Sequence, residues 1–134
     1  MKNSLPTHAV KAVIKNEKGE LLFLRRRLDL VKKTIDNWDL PGGIVEDGED
    51  DKEALRRELK EELGVEARIG EKAGIWSFHR PLDEKTVNVT NYFAELSSRD
   101  ITLSEEHTDY KWLTPSELAE IAVKDVSIYD ALGA

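Results

Sequence analysis

The chain has 134 residues, enough for one hydrophobic core and too few for two, so a single domain over residues 1–134 is expected. An apolar fraction of 40% excludes a disordered chain, and a net charge of −7 excludes a non-specific nucleic-acid binder, because no overall positive field draws phosphates in. The absence of cysteine excludes disulfides, a thiolate zinc site and a thiol nucleophile, and with no membrane-length apolar stretch and no signal-peptide core the expected location is the cytoplasm.

In chain order, residues 8–14 and 21–26 read as strands, joined as a hairpin by the turn Asn16-Glu17-Lys18-Gly19. Residues 27–37 are polar and carry no period, which reads as a loop. Residues 38–40 lead into the glycine pair Gly42-Gly43, and Ile44-Val45 reads as a short strand. A helix is expected from about Asp50 to Leu63: Asp50 with Glu53 forms a capping box, and Gly64 supplies the stop. Residues 65–80 hold one or two strands with a break near 70–74. Residues 86–96 read as a long strand and 110–113 as a short one. Thr114-Pro115-Ser116-Glu117 is a second capping box opening a helix to about Val123, and residues 125–132 read as a final helical turn. Strands outnumber helices and do not alternate with them strictly, which points to an α+β fold with a mixed sheet.

The helix of 50–63 carries the chemistry. At 100° per residue, Glu58, Glu61 and Glu62 share one face, while Leu55, Leu59 and Leu63 repeat on another, so the helix can dock with its carboxylates exposed. Carboxylates packed this closely repel one another unless a cation sits among them. Hard oxygen ligands select Mg²⁺, Mn²⁺ or Ca²⁺, and Mg²⁺ tends to arrive with substrate phosphates. The glycine pair just upstream lets backbone approach a metal or phosphate closely.

Gly43, Glu49, Arg57, Glu58, Leu59, Glu61, Glu62, Gly64 and Val65 together fill every specified position of G-x5-E-x7-R-E-U-x-E-E-x-G-U, where U is aliphatic. This segment resembles the signature of the Nudix hydrolases. With Glu allowed about one chance in eight per site in this Glu-rich chain, and Gly or Arg roughly one in seventeen, chance agreement at the seven fixed positions is on the order of 10⁻⁷ to 10⁻⁸ per starting point. The resemblance implies an α/β/α sandwich in which a mixed sheet lies between helices and the signature forms a loop–helix–loop. It implies Mg²⁺ (or Mn²⁺) held by Glu58, Glu61, Glu62 and the Gly43 carbonyl, with Arg57 orienting the cluster through a salt bridge, Glu49 being its expected partner. Glu49, Arg25 and Arg27 are expected to border the substrate, arginine being suited to bidentate phosphate contacts.

The resemblance also implies a general base, either a signature glutamate or a carboxylate nearer the end of the sheet. Glu106, beside Glu105 ahead of the strand of 110–113, is the candidate for that role. His107 reads as a surface histidine that could otherwise help bind phosphate, and Asp109 as a solvated loop acid. Trp38, Trp76, Phe78 and Tyr92 read as core residues that could stack on a base. Nudix enzymes mostly split a nucleoside diphosphate linked to another group, so the expected partner is a small nucleotide, with neither nucleic acid nor membrane. The compact chain favours a nucleoside triphosphate, cleaved to monophosphate and pyrophosphate. Pro81, sixteen residues past Val65, resembles a mark of ADP-ribose hydrolases and keeps a nucleotide sugar as the alternative. A non-catalytic nucleotide sensor is the reading from another class, and its usual extra DNA-binding segment and broken signature are both missing. Many members of the family are homodimers, and no patch in this sequence identifies an interface.

Overall fold

The structure is a computed structural model that describes residues 7–26, 38–80, 84–105 and 107–118. Its elements are β1 (Thr7–Val13), β2 (Leu21–Arg26), β3 (Trp38–Asp39), β4 (Gly42–Ile44), α1 (Asp51–Leu63), β5 (Ala67–Arg80), β6 (Lys85–Leu96), β7 (His107–Leu113) and α2 (Pro115–Leu118). They form two sheets: a mixed one ordered β4-β1-β6-β5 and an antiparallel one ordered β3-β2-β7. In the mixed sheet, β1 runs parallel to β6, with Ala9 opposite Val89, and antiparallel to β4. The fold is of the expected α+β class, and among the described residues its strands lie in two sheets where the sequence suggested one.

The expected hairpin of β1 and β2 is corrected. The turn itself forms, with the Asn16 side-chain oxygen accepting from the N–H groups of Lys18 and Glu20. Beyond it the strands share the bridge of Lys15 with Leu21 and a hydrogen bond from Leu22 N–H to Ile14, and then part into different sheets. The reason lies in the run Leu21-Leu22-Phe23-Leu24, whose members are at most 1% exposed. A run apolar on both faces needs cover on both, which a simple hairpin cannot supply. The expected break near 70–74 is likewise a distortion within one long strand: β5 stays paired with β6 through register shifts between Ile69 and Gly74.

α1 forms as the sequence dictates. Asp50 accepts from Glu53 N–H at 2.8 Å, the Glu53 carboxylate accepts from Asp50 N–H at 3.3 Å, and Gly64 closes the helix at φ 69°. Leu55, Leu59 and Leu63 are fully buried in a cluster with Val10 and Ala12 of β1, Ile14 just after it, and Leu22 and Leu24 of β2. The helix thereby packs on a face to which both sheets contribute. Each leucine contributes about 1.5–3 kcal/mol by leaving water. Its first turn is pinned as well: Asp51 binds the His8 imidazole at 3.0 Å and accepts from the Tyr92 hydroxyl at 2.7 Å. Burial, followed by the Asp51 carboxylate, pushes the Tyr92 phenol up to about 12.

The second capping box is present, with Thr114 and Glu117 bonding each other's backbone N–H groups. The rest of that expected helix, the turn of 125–132, the loop of 27–37 and Pro81 lie outside the described residues. No helix among the described residues is long and apolar enough to cross a membrane.

Leu59→Ala leaves a cavity between α1 and both sheets and should lower the unfolding free energy by about 2–5 kcal/mol in urea melts. A loss below about 1 kcal/mol would mean that the helix is not clamped there.

Candidate active site

The start of β4 brings backbone against the carboxylates of α1, where glycine is required at position 42 and leaves room for the Glu58 side chain at position 43. Gly42 sits at φ 150°, and a Cβ there would lie 2.0 Å from the Val10 carbonyl oxygen. A Cβ on Gly43 would lie 2.2 Å from the Glu58 carboxylate. The Glu58 side chain therefore rests directly on the Gly43 backbone.

Arg57 organises the acids. Its Nε and Nη2 donate to the two oxygens of Glu49 at 2.8 and 2.9 Å, a bidentate pair. Nη1 donates to Glu58 at 2.8 Å and to Glu61 at 3.2 Å, and Nη2 also reaches the Ile44 carbonyl at 3.2 Å. Neighbouring helix positions normally diverge, yet the long guanidinium folds back across the Glu58 carboxylate. The guanidinium of Arg57, and after it the N–H of Glu46, hold the Glu49 carboxyl far below its ordinary value of 4.5, at about 2. Reciprocally, Glu49 raises the affinity of Arg57 for its proton.

Glu62 departs from the expected exposed face. It is buried, its Oε1 accepts from Gly42 N–H at 2.8 Å, and its Oε2 lies 3.9 Å from His107 Nε2. Glu61 is the open member of the set, its side chain 56% exposed.

His107 is the residue that sequence reasoning misjudged. It is 8% exposed on β7, which begins three residues before the expected strand. Alternation hid it, because Lys111 and Asp109 on the same strand face are exposed while Leu113 and His107 are not. Lys11 was also missed: it is 9% exposed and its ammonium donates to Asp39 at 3.0 Å. Asp109 belongs to β7, with Arg25 Nη1 3.8 Å from its carboxylate. Past a bulge, the backbone of Arg26 is in register with that of His107. Glu105 is exposed at the turn before β7, while Glu106 and Arg27 lie outside the described residues. Of the aromatic candidates, Tyr92 is core and Trp38 lies under the Lys111 ammonium at 5.2 Å. Trp76 and Phe78 stack on each other with centroids 5.2 Å apart.

This glycine-to-helix arrangement has relatives. A sequence profile of the NUDIX domain matches residues 5–132. The chain is a member of the Nudix hydrolase family. It is 36% identical over 107 residues to the nucleoside triphosphatase NudI of Salmonella heidelberg (strain SL476), covering 67% of this chain and 75% of that protein. Against the nucleoside triphosphatase NudI of Escherichia fergusonii it is 38% identical over 93 residues, and the match spans 62% of this chain and slightly under two thirds, 65%, of the relative. The crystal structure of a MutT protein from Methanosarcina mazei Go1 superposes with a TM-score of 0.79 at 32% identity, over 96% of this chain and 91% of that one.

In this Nudix hydrolase the donor set suits a hard divalent ion. Glu58 and Glu62 meet at the glycine pair, where carboxylate and carbonyl oxygens predominate and the one nitrogen nearby is the His107 imidazole, 3.9 Å from Glu62. As they stand, no three acidic or imidazole groups among the described residues converge on one point, and the cation among Glu49, Glu58 and Glu61 is Arg57. For Glu61 to turn inward beside Glu58 and Glu62, it must release its 3.2 Å contact with Arg57, the longest that Nη1 makes to a carboxylate.

Gly43→Ala should keep the circular dichroism spectrum while cutting kcat by roughly 10²-fold, because Glu58 must leave its place. An unchanged kcat would separate Glu58 from the chemistry. For the depressed Glu49 carboxyl the pH dependence has a definite sign. The unfolded chain binds the proton more readily, so the Arg57 pair stabilises fully above about pH 4.5 and is lost as pH falls through about 2. The gap in urea midpoint between wild type and Glu49→Gln should be widest near neutrality and close across that window. A constant gap would show that the pair is not the cause.

Proposed function

We propose that this protein is a nucleoside triphosphate pyrophosphohydrolase, dependent on Mg²⁺ or Mn²⁺ and acting within the cytoplasm. The observation that carries the reading is the placement of Glu58 and Glu62 against the Gly42–Gly43 backbone, with Arg57 tying Glu49, Glu58 and Glu61 into one charged assembly. The relatives named nucleoside triphosphatase favour triphosphates over the nucleotide-sugar alternative. The Pro81 on which that alternative leaned lies outside the described residues.

In the reaction, the oxygen of water forms a bond to one phosphorus of an anhydride, the bridging P–O bond breaks, and water's proton passes to a base. The nucleoside triphosphate and water become nucleoside monophosphate, pyrophosphate and a proton. Glu58, Glu61, Glu62 and the Gly43 carbonyl would hold the divalent ion, which supplies charge neutralisation on the phosphoryl oxygens and a more acidic water. The chain's own work is positional. Arg57 orients Glu58 and, through Glu49, fixes its own guanidinium. The Gly42 N–H fixes one oxygen of Glu62. The group that accepts the proton is a signature glutamate or Glu106, the two alternatives that the sequence leaves open.

Incubation with Mg²⁺ and each triphosphate, followed by anion-exchange chromatography, should yield equal amounts of monophosphate and pyrophosphate. Excess chelator should stop the reaction. Glu62→Gln should lower kcat by roughly 10²- to 10³-fold, the range for one group that stabilises charge in the transition state. Release of diphosphate and inorganic phosphate, or undiminished turnover in Glu62→Gln, would sink the assignment.

A further inference from the structure

The face of the mixed sheet turned away from α1 holds polar groups that the hydrolytic chemistry does not use. Val10 and Ala12 of β1 pack towards the helix, so Ala9, Lys11 and Val13 project to the other side. Cross-strand register there sets Ala9 beside Val89 and Trp76, and Lys11 beside Asn91 and Gly74. Most of this face is apolar, with Ala9, Val87 and Val89 buried against Trp76 and Phe78. Lys11 and the fully buried Asn91 interrupt it.

A desolvated ammonium is costly unless its N–H groups have acceptors. Lys11 Nζ gives one to Asp39 at 3.0 Å and one to the Leu40 carbonyl at 3.4 Å. An ammonium has three, and the third has no acceptor among the described residues. One row along the same face, the indole Nε1 of Trp76 is buried without a partner. Two buried donors short of acceptors call for a ligand that presents acceptors.

The place of Lys11 says which ligand. Lys11 is in register with Gly42, and the segment its ammonium grips, Asp39-Leu40, leads straight into the glycine pair. β4 is the sheet's edge strand and only three residues long, so the glycine pair and the Lys11 face lie on either side of a short edge. A nucleotide with its phosphates at Gly42–Gly43 can bend round that edge and lay its base on the face of Lys11 and Trp76.

We propose that Lys11 is a specificity-determining residue that donates to a carbonyl oxygen of the base, with the Trp76 N–H as a second donor. The enzyme then favours keto bases over their amino counterparts, because an exocyclic amino group would set donor against donor. This rests on the triphosphate reading above.

The test compares two pairs that differ at one position of the base: dUTP against dCTP, and ITP against ATP. Wild type should show kcat/KM about 10- to 100-fold higher for the keto member of at least one pair, the range for one hydrogen bond from a charged donor. In Lys11→Met that ratio should fall towards one, whatever the loss of the glycine loop's support does to turnover of both members alike. Lys11→Arg, which keeps the donors, should retain a preference. The ratio is taken within each variant, so loss of folded enzyme cancels. Equal use of both members by wild type, or an unaltered ratio in Lys11→Met, would overturn the proposal while leaving the hydrolase reading intact. Failure to split any triphosphate would overturn both.

Discussion

Like charge held at close range is the constraint on which the rest of this structure depends. Glu49, Glu58 and Glu61 all lie within hydrogen-bonding reach of one guanidinium, and Glu62 lies one helical turn beyond Glu58. Left alone these carboxylates would push α1 away from the loop that precedes it or draw protons. Arg57 offsets the repulsion, and the depressed Glu49 carboxyl shows how strongly the ionised form is favoured. An arginine is needed because its fork can serve Glu49 with two bonds and still span Glu58 and Glu61. A lysine ammonium in its place would lose the planar bidentate geometry.

Charge neutralisation holds the acids together, but apolar packing decides where they point. The buried leucine stripe fixes the rotation of α1, and the capping box and the Asp51 contacts with His8 and Tyr92 fix its start. With rotation and start both set, Glu58 must rest on Gly43 and Glu62 must meet the Gly42 N–H. The glycines complete the arrangement from the other side, since a side chain at either would strike the Val10 carbonyl or Glu58. Glu62 also joins distant parts of the chain: its backbone carbonyl accepts from Ser104 and its carboxylate neighbours His107. The buried end of the cluster is thus shared by the glycine loop, the helix and the approach to β7.

The helix was legible in the sequence because its signals are local. Capping box, leucine repeat and terminal glycine each act within four residues, and each recurs in the structure. The pairing of strands was not legible in the same way. β1 and β2 carry a good turn between them, yet Leu21-Leu22-Phe23-Leu24 demands partners on both faces, and those partners arrive from Trp38 and from residues past 107. The site was readable where the spacing of residues is itself the signal, from Gly43 to Val65. It was unreadable where tertiary contact decides burial. His107 sits on a strand whose exposed and buried residues do not alternate, and Lys11 sits in a strand that a pattern would have left half-solvated.

β1 explains why those two kinds of information meet in one small protein. As the second strand of the mixed sheet it has neighbours on both edges and cores on both faces, so its residues answer to everything around it. On one face Val10 packs with the helix that carries the glutamates, and its carbonyl is the atom that compels glycine at position 42. On the other, the adjacent Lys11 reaches back to Asp39 and Leu40 and steadies the same loop from behind. Two successive residues of one strand therefore set the backbone of the glycine loop, one by steric exclusion and one by charge.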